Sequence, residues 1–217
     1  MSSQTAKPSR RPRPRIESLS DLIYGLSLSI GAISLVITNG EASSISDINL
    51  NIVEFLSVFL ILITSWIIYT GDMSVLPIET HLVTFLNIVL LMLVATIPYL
   101  FDQVVAKSNP APVQDYASIL FTADYALTLI IMAIFAHIIA QEEKQLVDGP
   151  IMIRFRRSRN TLLVLSGVVV VSVVAPWNLF FLGVHVRPII WFVPIIIFWF
   201  NRMRSKPFGV PSSHSTA

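Results

Sequence analysis

The side chains that could perform chemistry are few in this sequence, and they lie far apart along it. The four histidines, His81, His137, His185 and His214, lack the spacing of metal ligands. There is no cysteine, which excludes disulfides, iron–sulfur clusters and thiolate zinc sites. No glycine-rich phosphate loop and no dinucleotide-binding fingerprint occurs either. The sequence therefore predicts no catalytic residue, no metal site and no cofactor, and it does not favour an enzyme.

Three ionisable residues nevertheless stand within or beside apolar stretches. Asp124 is expected either to cap the start of a helix or to lie one turn inside it as a functional acid, and both interpretations stay open. His137 is expected to donate an interhelical hydrogen bond rather than to bind a metal. Arg187 is expected to reach toward the membrane surface or to line an aqueous vestibule.

The first apolar segment has two distinct stripes when it is drawn as a helix. An aliphatic stripe consists of Leu19, Leu22, Ile23, Leu26, Ile30, Ile33 and Ile37, and a stripe of small side chains beside it consists of Ser20, Ser27, Ser34 and Thr38. In one interpretation the aliphatic stripe faces lipid and the small stripe packs on a neighbouring helix. In the other, several copies of the aliphatic stripe enclose a narrow pore with hydroxyl groups nearby. Periodicity alone does not decide between them.

The elements that carry these residues are predicted to be transmembrane helices. Hydrophobic residues make up 54% of the 217 residues and charged residues only 13%, roughly half the share found in soluble domains. Long runs without Asp, Glu, Lys or Arg cover 22–40, 55–71, 81–101, 125–141 and 160–186. A helix needs roughly twenty apolar residues to cross a bilayer, so each run can supply a span.

A sixth, shorter apolar run near the C-terminus completes the predicted fold. We predict an all-α, integral membrane six-helix bundle with one repeat per chain and no pore loop. Its helices are expected at 17–39, 52–71, 79–101, 116–141, 160–176 and 182–203. Pro176 should end the fifth helix, because proline removes a helical hydrogen-bond donor. The channel domain would then span 16–204, between a disordered basic tail at 1–15 and a second tail at 205–217.

The basic residues predict the orientation in the membrane. Thirteen of the fifteen Lys and Arg residues fall in the first tail, in the predicted 142–159 loop or at the C-terminal end, and only Lys107 and Arg187 do not. Cytoplasmic loops are enriched in Lys and Arg, so both termini are expected in the cytoplasm of a multi-pass membrane protein. The first tail is interpreted as a topology signal that can also contact membrane lipids, and no nucleic acid is expected as a partner.

The start of the first helix resembles the signature of a known family, the potassium channels of the endolysosomal membrane and their prokaryotic relatives. That family carries Arg, three further residues, and then Phe-Ser-Asp before an aliphatic helix. Arg15, Ser20 and Asp21 match this pattern, and Ile16 and Glu17 also look like common family residues. Leu19 stands in place of the phenylalanine.

Two later segments extend the resemblance. Residues 86–91, which read Leu-Asn-Ile-Val-Leu-Leu, and Pro98 look like the family's third helix. Trp66 looks like its second-helix tryptophan, and Tyr69 stands where the family usually has a histidine. The resemblance implies that helix one lines the pore of a potassium-permeable channel without a carbonyl filter. Because prokaryotic single-repeat members assemble as homotetramers, a homotetramer in a prokaryotic cell membrane is implied, with potassium ions as the permeant species.

Site residues carry over from the family by position. The pore constriction falls on Leu26, Ile30 and Ile33, and the polar pore positions fall on Ser29 and Ser27. Gly31 replaces a family leucine and is expected to widen or soften the pore. A hydrogen-bonded signature cluster would fix the cytoplasmic end of helix one, and its members are Arg15, Ser20, Asp21, Trp66 and Asn87.

Two functions of other classes remain open beside the channel. A proton or solute transporter would need a route of buried ionisable groups, for which Asp124, His137 and Arg187 are the candidates. A non-conducting membrane scaffold would be compatible with an incomplete signature.

Overall fold

The protein is a bundle of membrane-spanning helices, as predicted. A computed structural model describes residues 15–38, 44–76, 80–141, 149–181 and 184–204. The long helices are α1 (Arg15–Thr38), α2 (Ile45–Met73), α3 (His81–Val105), α4 (Ala111–Ile139) and α5 (Gly149–Val171). A short turn of 3₁₀ helix (Ser172–Val174) and a two-stranded hairpin, β1 (Phe180–Phe181) and β2 (Val184–His185), lead to α6 (Val186–Trp191) and α7 (Val193–Arg204).

The described spans are long and apolar enough to cross a bilayer, which makes the chain a multi-pass membrane protein. Three single helices, α2, α3 and α4, each form a span. A fourth span consists of α5 and the 3₁₀ turn that follows it, and a fifth at Val186–Met203 consists of α6 and α7. The described apolar part of α1 at Ser18–Ile33 is shorter, and it belongs to a helix of 24 residues. These six helical segments, five of them long and apolar enough to span a membrane, confirm the predicted all-α bundle. Of the predicted tail at 1–15, Arg15 belongs to α1, and residues 1–14 lie outside the described residues, as does the predicted tail at 205–217.

The fourth helix is the centre of the bundle. It packs between α3 and α5, and it is buried around most of its circumference. Phe121 lies at the middle of an aromatic cluster, with its ring centroid 4.4 Å from Trp191 and 5.7 Å from Phe101. The Trp191 indole also donates a hydrogen bond of 3.1 Å to Thr122 Oγ1, so the last span is tied to α4.

Two predicted helices begin much earlier than expected. Helix α2 starts at Ile45 rather than near residue 52, because Ser44 caps it by accepting a hydrogen bond of 3.1 Å from the Asp47 amide. Helix α5 starts at Gly149 rather than at 160, so most basic residues of the predicted 142–159 loop belong to a helix. Charged side chains do not end a helix, so the length of an uncharged run underestimates the length of the helix that contains it.

The last span is interrupted, which corrects the single helix predicted at 182–203. The hairpin occupies its first residues, and Phe192 separates α6 from α7. Pro194 lies in the first turn of α7 and has no N–H to continue the hydrogen-bond ladder of α6. The predicted end of the fifth helix near Pro176 agrees with the 3₁₀ turn that ends at Val174.

Candidate pore-lining helix

Helix α1 has one face inside the bundle and one face that the chain itself leaves open. Ser20, Tyr24 and Ser27 are at most 1% exposed. The open face carries the aliphatic row, with exposures of 50% at Leu19, 67% at Leu22, 57% at Leu26, 39% at Ile30 and 54% at Ile33. One chain therefore uses the small side chains for packing and leaves the aliphatic row to contact lipid or another molecule.

Two tyrosines, Tyr24 on α1 and Tyr69 on α2, each form a hydrogen bond with a serine on the other helix and fix the inner face of α1 against α2. The Tyr24 hydroxyl lies 2.9 Å from Ser65 Oγ, and the Tyr69 hydroxyl donates a bond of 2.6 Å to Ser20 Oγ. The two tyrosine rings are 5.6 Å apart. Buried hydroxyl groups are costly to leave unpaired in lipid, so these bonds define the rotation of α1 about its axis. The sequence interpretation missed Tyr24, although its spacing of four from Ser20 places it on the same face.

The predicted signature cluster is only partly assembled by the described contacts. The Trp66 indole donates a hydrogen bond of 3.0 Å to Asp21 Oδ1, which joins α2 to α1. Ser20 contacts Tyr69 instead, the residue that stands in place of the family histidine. Asn87 is buried in α3, and its Oδ1 has no hydrogen-bond partner among the described residues. Arg15 starts α1, and its side chain lies outside the described part of the structure.

The two polar pore positions differ in their orientation. Ser27 is 1% exposed and donates a hydrogen bond of 2.9 Å to the Ile23 carbonyl oxygen, so its prediction as a pore residue is corrected. It shares the inner face with Tyr24, and a pore on the open face cannot reach it. Ser29 is exposed beside Leu26, and its hydroxyl donates to the Gly25 carbonyl oxygen.

Gly31 faces α2 and not the aliphatic row. A Cβ atom added there would lie 3.6 Å from Val58 Cγ1, which is an ordinary van der Waals distance. The glycine therefore shapes the contact between α1 and α2. The expectation that it widens or softens a pore is corrected, because Gly31 lies about 140° around the helix from Leu26.

The remaining membrane-embedded ionisable groups lie in separate places. Asp124 lies in the middle of α4, which begins at Ala111, so it is not an N-cap. Its Oδ2 accepts a hydrogen bond of 2.9 Å from Thr96 Oγ1, and its Oδ1 has no partner among the described residues. His137 makes an interhelical contact, as expected, but Nδ1 accepts the bond, 3.1 Å from the Arg159 guanidinium. The described residues contain no cluster of metal ligands.

Arg187 is buried at only 5% exposure, which corrects the expectation that it reaches the surface or lines a vestibule. Its guanidinium pairs with Asp115 and donates a bond of 2.7 Å to Ser118 Oγ, both on α4. Two further N–H groups donate to the carbonyl oxygens of Ala175 at 2.8 Å and Val173 at 3.1 Å. The charge therefore joins α6, α4 and the segment that follows α5, and its four hydrogen bonds, one of them to a carboxylate, explain how it is tolerated inside the bundle.

Lys107 lies in the connection between α3 and α4, on the side opposite the main basic segments. Its Nζ donates a hydrogen bond of 2.8 Å to Asp47 Oδ1. This bond raises the pKa of the exposed Lys107 above its ordinary value, so the ammonium group stays charged. The pair joins the start of α2 to the α3–α4 connection, and as a surface ion pair it contributes little stability.

The fold has a close counterpart among solved structures. The chain superposes on the crystal structure of a lysosomal potassium-selective channel TMEM175 homolog from Chamaesiphon minutus with a TM-score of 0.60. The match covers 86% of this chain and 96% of the other, at 20% sequence identity. No protein-family model and no curated protein sequence matches the chain. The likeness shows that the two proteins share a fold.

Proposed function

We propose that this chain forms a potassium-permeable cation channel whose pore is lined by α1. The open aliphatic row of α1 is the observation that carries the proposal, because Leu26, Ile30 and Ile33 are not covered by any of the residues that the structure describes. The shared fold with a potassium-selective channel homolog supports it. Conduction through such a pore is passive and needs no cofactor.

A pore of this kind requires several copies of the chain. One aliphatic row cannot enclose an axis, whereas four rows can meet around one, so we propose a homotetramer. Leu26, Ile30 and Ile33 then form successive apolar rings that limit hydration, and Ser29 supplies a hydroxyl beside them. Selectivity for potassium would follow from the close fit of a partly dehydrated ion in this neck.

The proposal is tested by assembly and flux measured on the same preparation. The purified chain in detergent should have the mass of four copies by native mass spectrometry. After reconstitution into liposomes it should carry potassium down a gradient, and protein-free liposomes should not. A stable monomer without flux would contradict the channel and favour a non-conducting membrane scaffold.

A transporter or proton pathway is less well supported by the geometry. Asp124 contacts Thr96, while His137 contacts Arg159 on the α4–α5 side. Arg187 makes four hydrogen bonds around α6, to Asp115, Ser118 and two backbone carbonyl oxygens. These three groups belong to three separate sets of contacts, so the described residues offer no continuous relay.

The polar contacts of Asp21 suggest a role for the signature cluster. Asp21 and Trp66 join α1 to α2 beside the Ser20–Tyr69 bond. We propose that this group, together with Asn87, holds the cytoplasmic end of α1 in the rotation that points the aliphatic row toward the axis. Arg15 would complete it.

The orientation in the membrane is a separate prediction. Both termini are expected in the cytoplasm, because thirteen of the fifteen basic residues fall in the two terminal segments and at 142–159, and cytoplasmic segments are enriched in Lys and Arg. Single cysteines introduced as Ser3→Cys and Ser213→Cys should react with a membrane-impermeant thiol reagent only after the cells are opened. The wild-type chain has no cysteine and serves as the blank. Labelling in intact cells would reverse the proposed topology.

A further inference from the structure

A cleft of about 400 Å³ lies between α2, α4, α5 and α7, away from the open face of α1. This volume is within the range of small-ligand pockets, about 300–1,000 Å³. The cleft begins where α2 and α7 end and α5 starts, which we call the basic end of the bundle. From there it runs toward the middle of the bundle.

The polarity of the cleft changes along its length. Near the middle of the bundle its walls are apolar and include Ile61, Leu129 and Leu165. At the basic end it is lined by Arg154 and Arg202, which are exposed, together with Asp72, Ser74 and Ser158. An apolar interior that opens between cationic side chains matches a molecule with a hydrocarbon tail and a phosphorylated head.

The polar groups at the basic end have unused hydrogen-bonding capacity. The structure gives Arg154 and Arg202 no ion pair with the described residues. Asp72 is only 4% exposed, and its Oδ2 has no hydrogen-bond partner among the described residues. A buried oxygen without a partner calls for an explanation, and a ligand that donates an N–H or O–H group supplies one.

We propose that this cleft binds one phospholipid, with an acyl chain between the helices and its phosphate between Arg154 and Arg202. The Asp72 carboxylate then accepts a hydrogen bond from a donor on the headgroup. Two cations against one carboxylate leave positive charge to pair with a phosphate, which both headgroups named below carry. Basic pockets between transmembrane helices bind phosphorylated headgroups in this way. Two lipids carry a donor that suits Asp72: phosphatidylglycerol through its hydroxyl groups, and phosphatidylethanolamine through its ammonium group.

The inference is independent of conduction, because binding is measured without ion flux. The full chain in detergent is titrated with phosphatidylglycerol, phosphatidylethanolamine or phosphatidylcholine of identical acyl chains, and bound lipid is counted by native mass spectrometry. Phosphatidylcholine has no N–H or O–H donor, so it should bind most weakly. A preference for phosphatidylglycerol identifies the hydroxyl source, and a preference for phosphatidylethanolamine identifies the ammonium source.

Two matched pairs of variants locate the binding. Arg154→Gln removes a cation from the cleft, and Arg157→Gln removes an exposed cation from the same helix outside it. Gly71→Leu adds a side chain into the cleft, and Gly167→Leu adds the same side chain outside it. At both glycines an added Cβ would meet nothing within 4 Å, so the helices should accept the change.

We expect Arg154→Gln to weaken phosphatidylglycerol binding about fivefold more than Arg157→Gln, the effect of about one lost headgroup contact. Gly71→Leu should abolish the bound lipid, while Gly167→Leu should retain it. Equal binding within either pair overturns the proposal, as does equal binding of all three lipids. A truncated chain that ends at Arg204 gives a further test. If this truncated chain binds lipid and the full chain does not, the tail at 205–217 occupies the cleft of the full chain, and the proposal is overturned. If Gly71→Leu does not fold, the arginine pair still decides.

Discussion

Shortening Ile30 to alanine is expected to increase potassium flux on the order of tenfold. Ile30 lies on the open face of α1 between Leu26 and Ile33, so in a tetramer four copies of its side chain would form one apolar ring. Such a ring expels water and opposes a hydrated ion. A barrier lower by about 1.4 kcal/mol raises a rate tenfold, and widening the ring acts directly on this barrier. Liposomes with matched amounts of wild type and Ile30→Ala measure the effect.

The control for this experiment is Ile189→Ala. Ile189 is 39% exposed, as is Ile30, but it lies on α6. Its truncation removes the same atoms and should leave flux unchanged. Ile30→Asn should increase flux further, because an amide attracts water into the neck. If the row faces lipid, Ile30→Ala will conduct like the wild type, and Ile30→Asn will reduce insertion into the membrane. Either result would show that Ile30 does not line the pore.

Replacing Arg187 by alanine is expected to destabilise the protein by roughly 3 kcal/mol, the lower end of the cost of breaking a buried ion pair. The change leaves the carbonyl oxygens of Ala175 and Val173 without their donors. The Asp115 side chain is 40% exposed and can bind water in compensation, which limits the loss. Arg187→Lys should also destabilise, because an ammonium group cannot reach the same set of acceptors as the planar guanidinium.

Thermal unfolding in detergent, followed by tryptophan fluorescence, measures this prediction. Trp177 lies 5.9 Å from the Arg187 guanidinium, and Trp191 is on the same helix as Arg187, so both report on this region. Arg157→Ala removes an exposed arginine and is the control. Equal unfolding midpoints for the two variants would show that Arg187 does not hold α4, α5 and α6 together.

The architecture follows from the sequence because the membrane imposes a simple requirement. Runs without charges, such as 81–101, must be helical in lipid, since every backbone group needs an internal partner. This argument predicted the six spans. It could not locate the start of α5 at Gly149, because a helix continues into water as easily as it crosses lipid. It also missed the hairpin before α6, because each strand pairs only two residues, too few for an alternating pattern to be recognised in the sequence.

The candidate site was predictable as a helix face but not as a set of contacts. Periodicity separates the row containing Leu26 and Ile30 from the stripe containing Ser27, and the structure buries Ser20 and Ser27 of that stripe inside the bundle. Which face points inward depends on partners contributed by α2, such as Ser65 and Tyr69, and one helix contains no information about them. Arg187 was misjudged for the same reason, since Asp115 is 72 residues away along the chain.

The attachment of α1 has a mechanical consequence. In the described part of the chain, the side-chain hydrogen bonds from α1 to α2 come from Ser20, Asp21 and Tyr24. Beyond them α1 meets α2 through apolar contacts such as that of Gly31 with Val58. Over residues 18–33, whose side chains the structure describes, the hydrogen bonds from α1 to α2 therefore stand in the first half, and the second half is held by packing. Packing resists small tilts less strictly than directional hydrogen bonds do, so in the proposed pore thermal fluctuations would change the bore more at Ile33 than at Leu26.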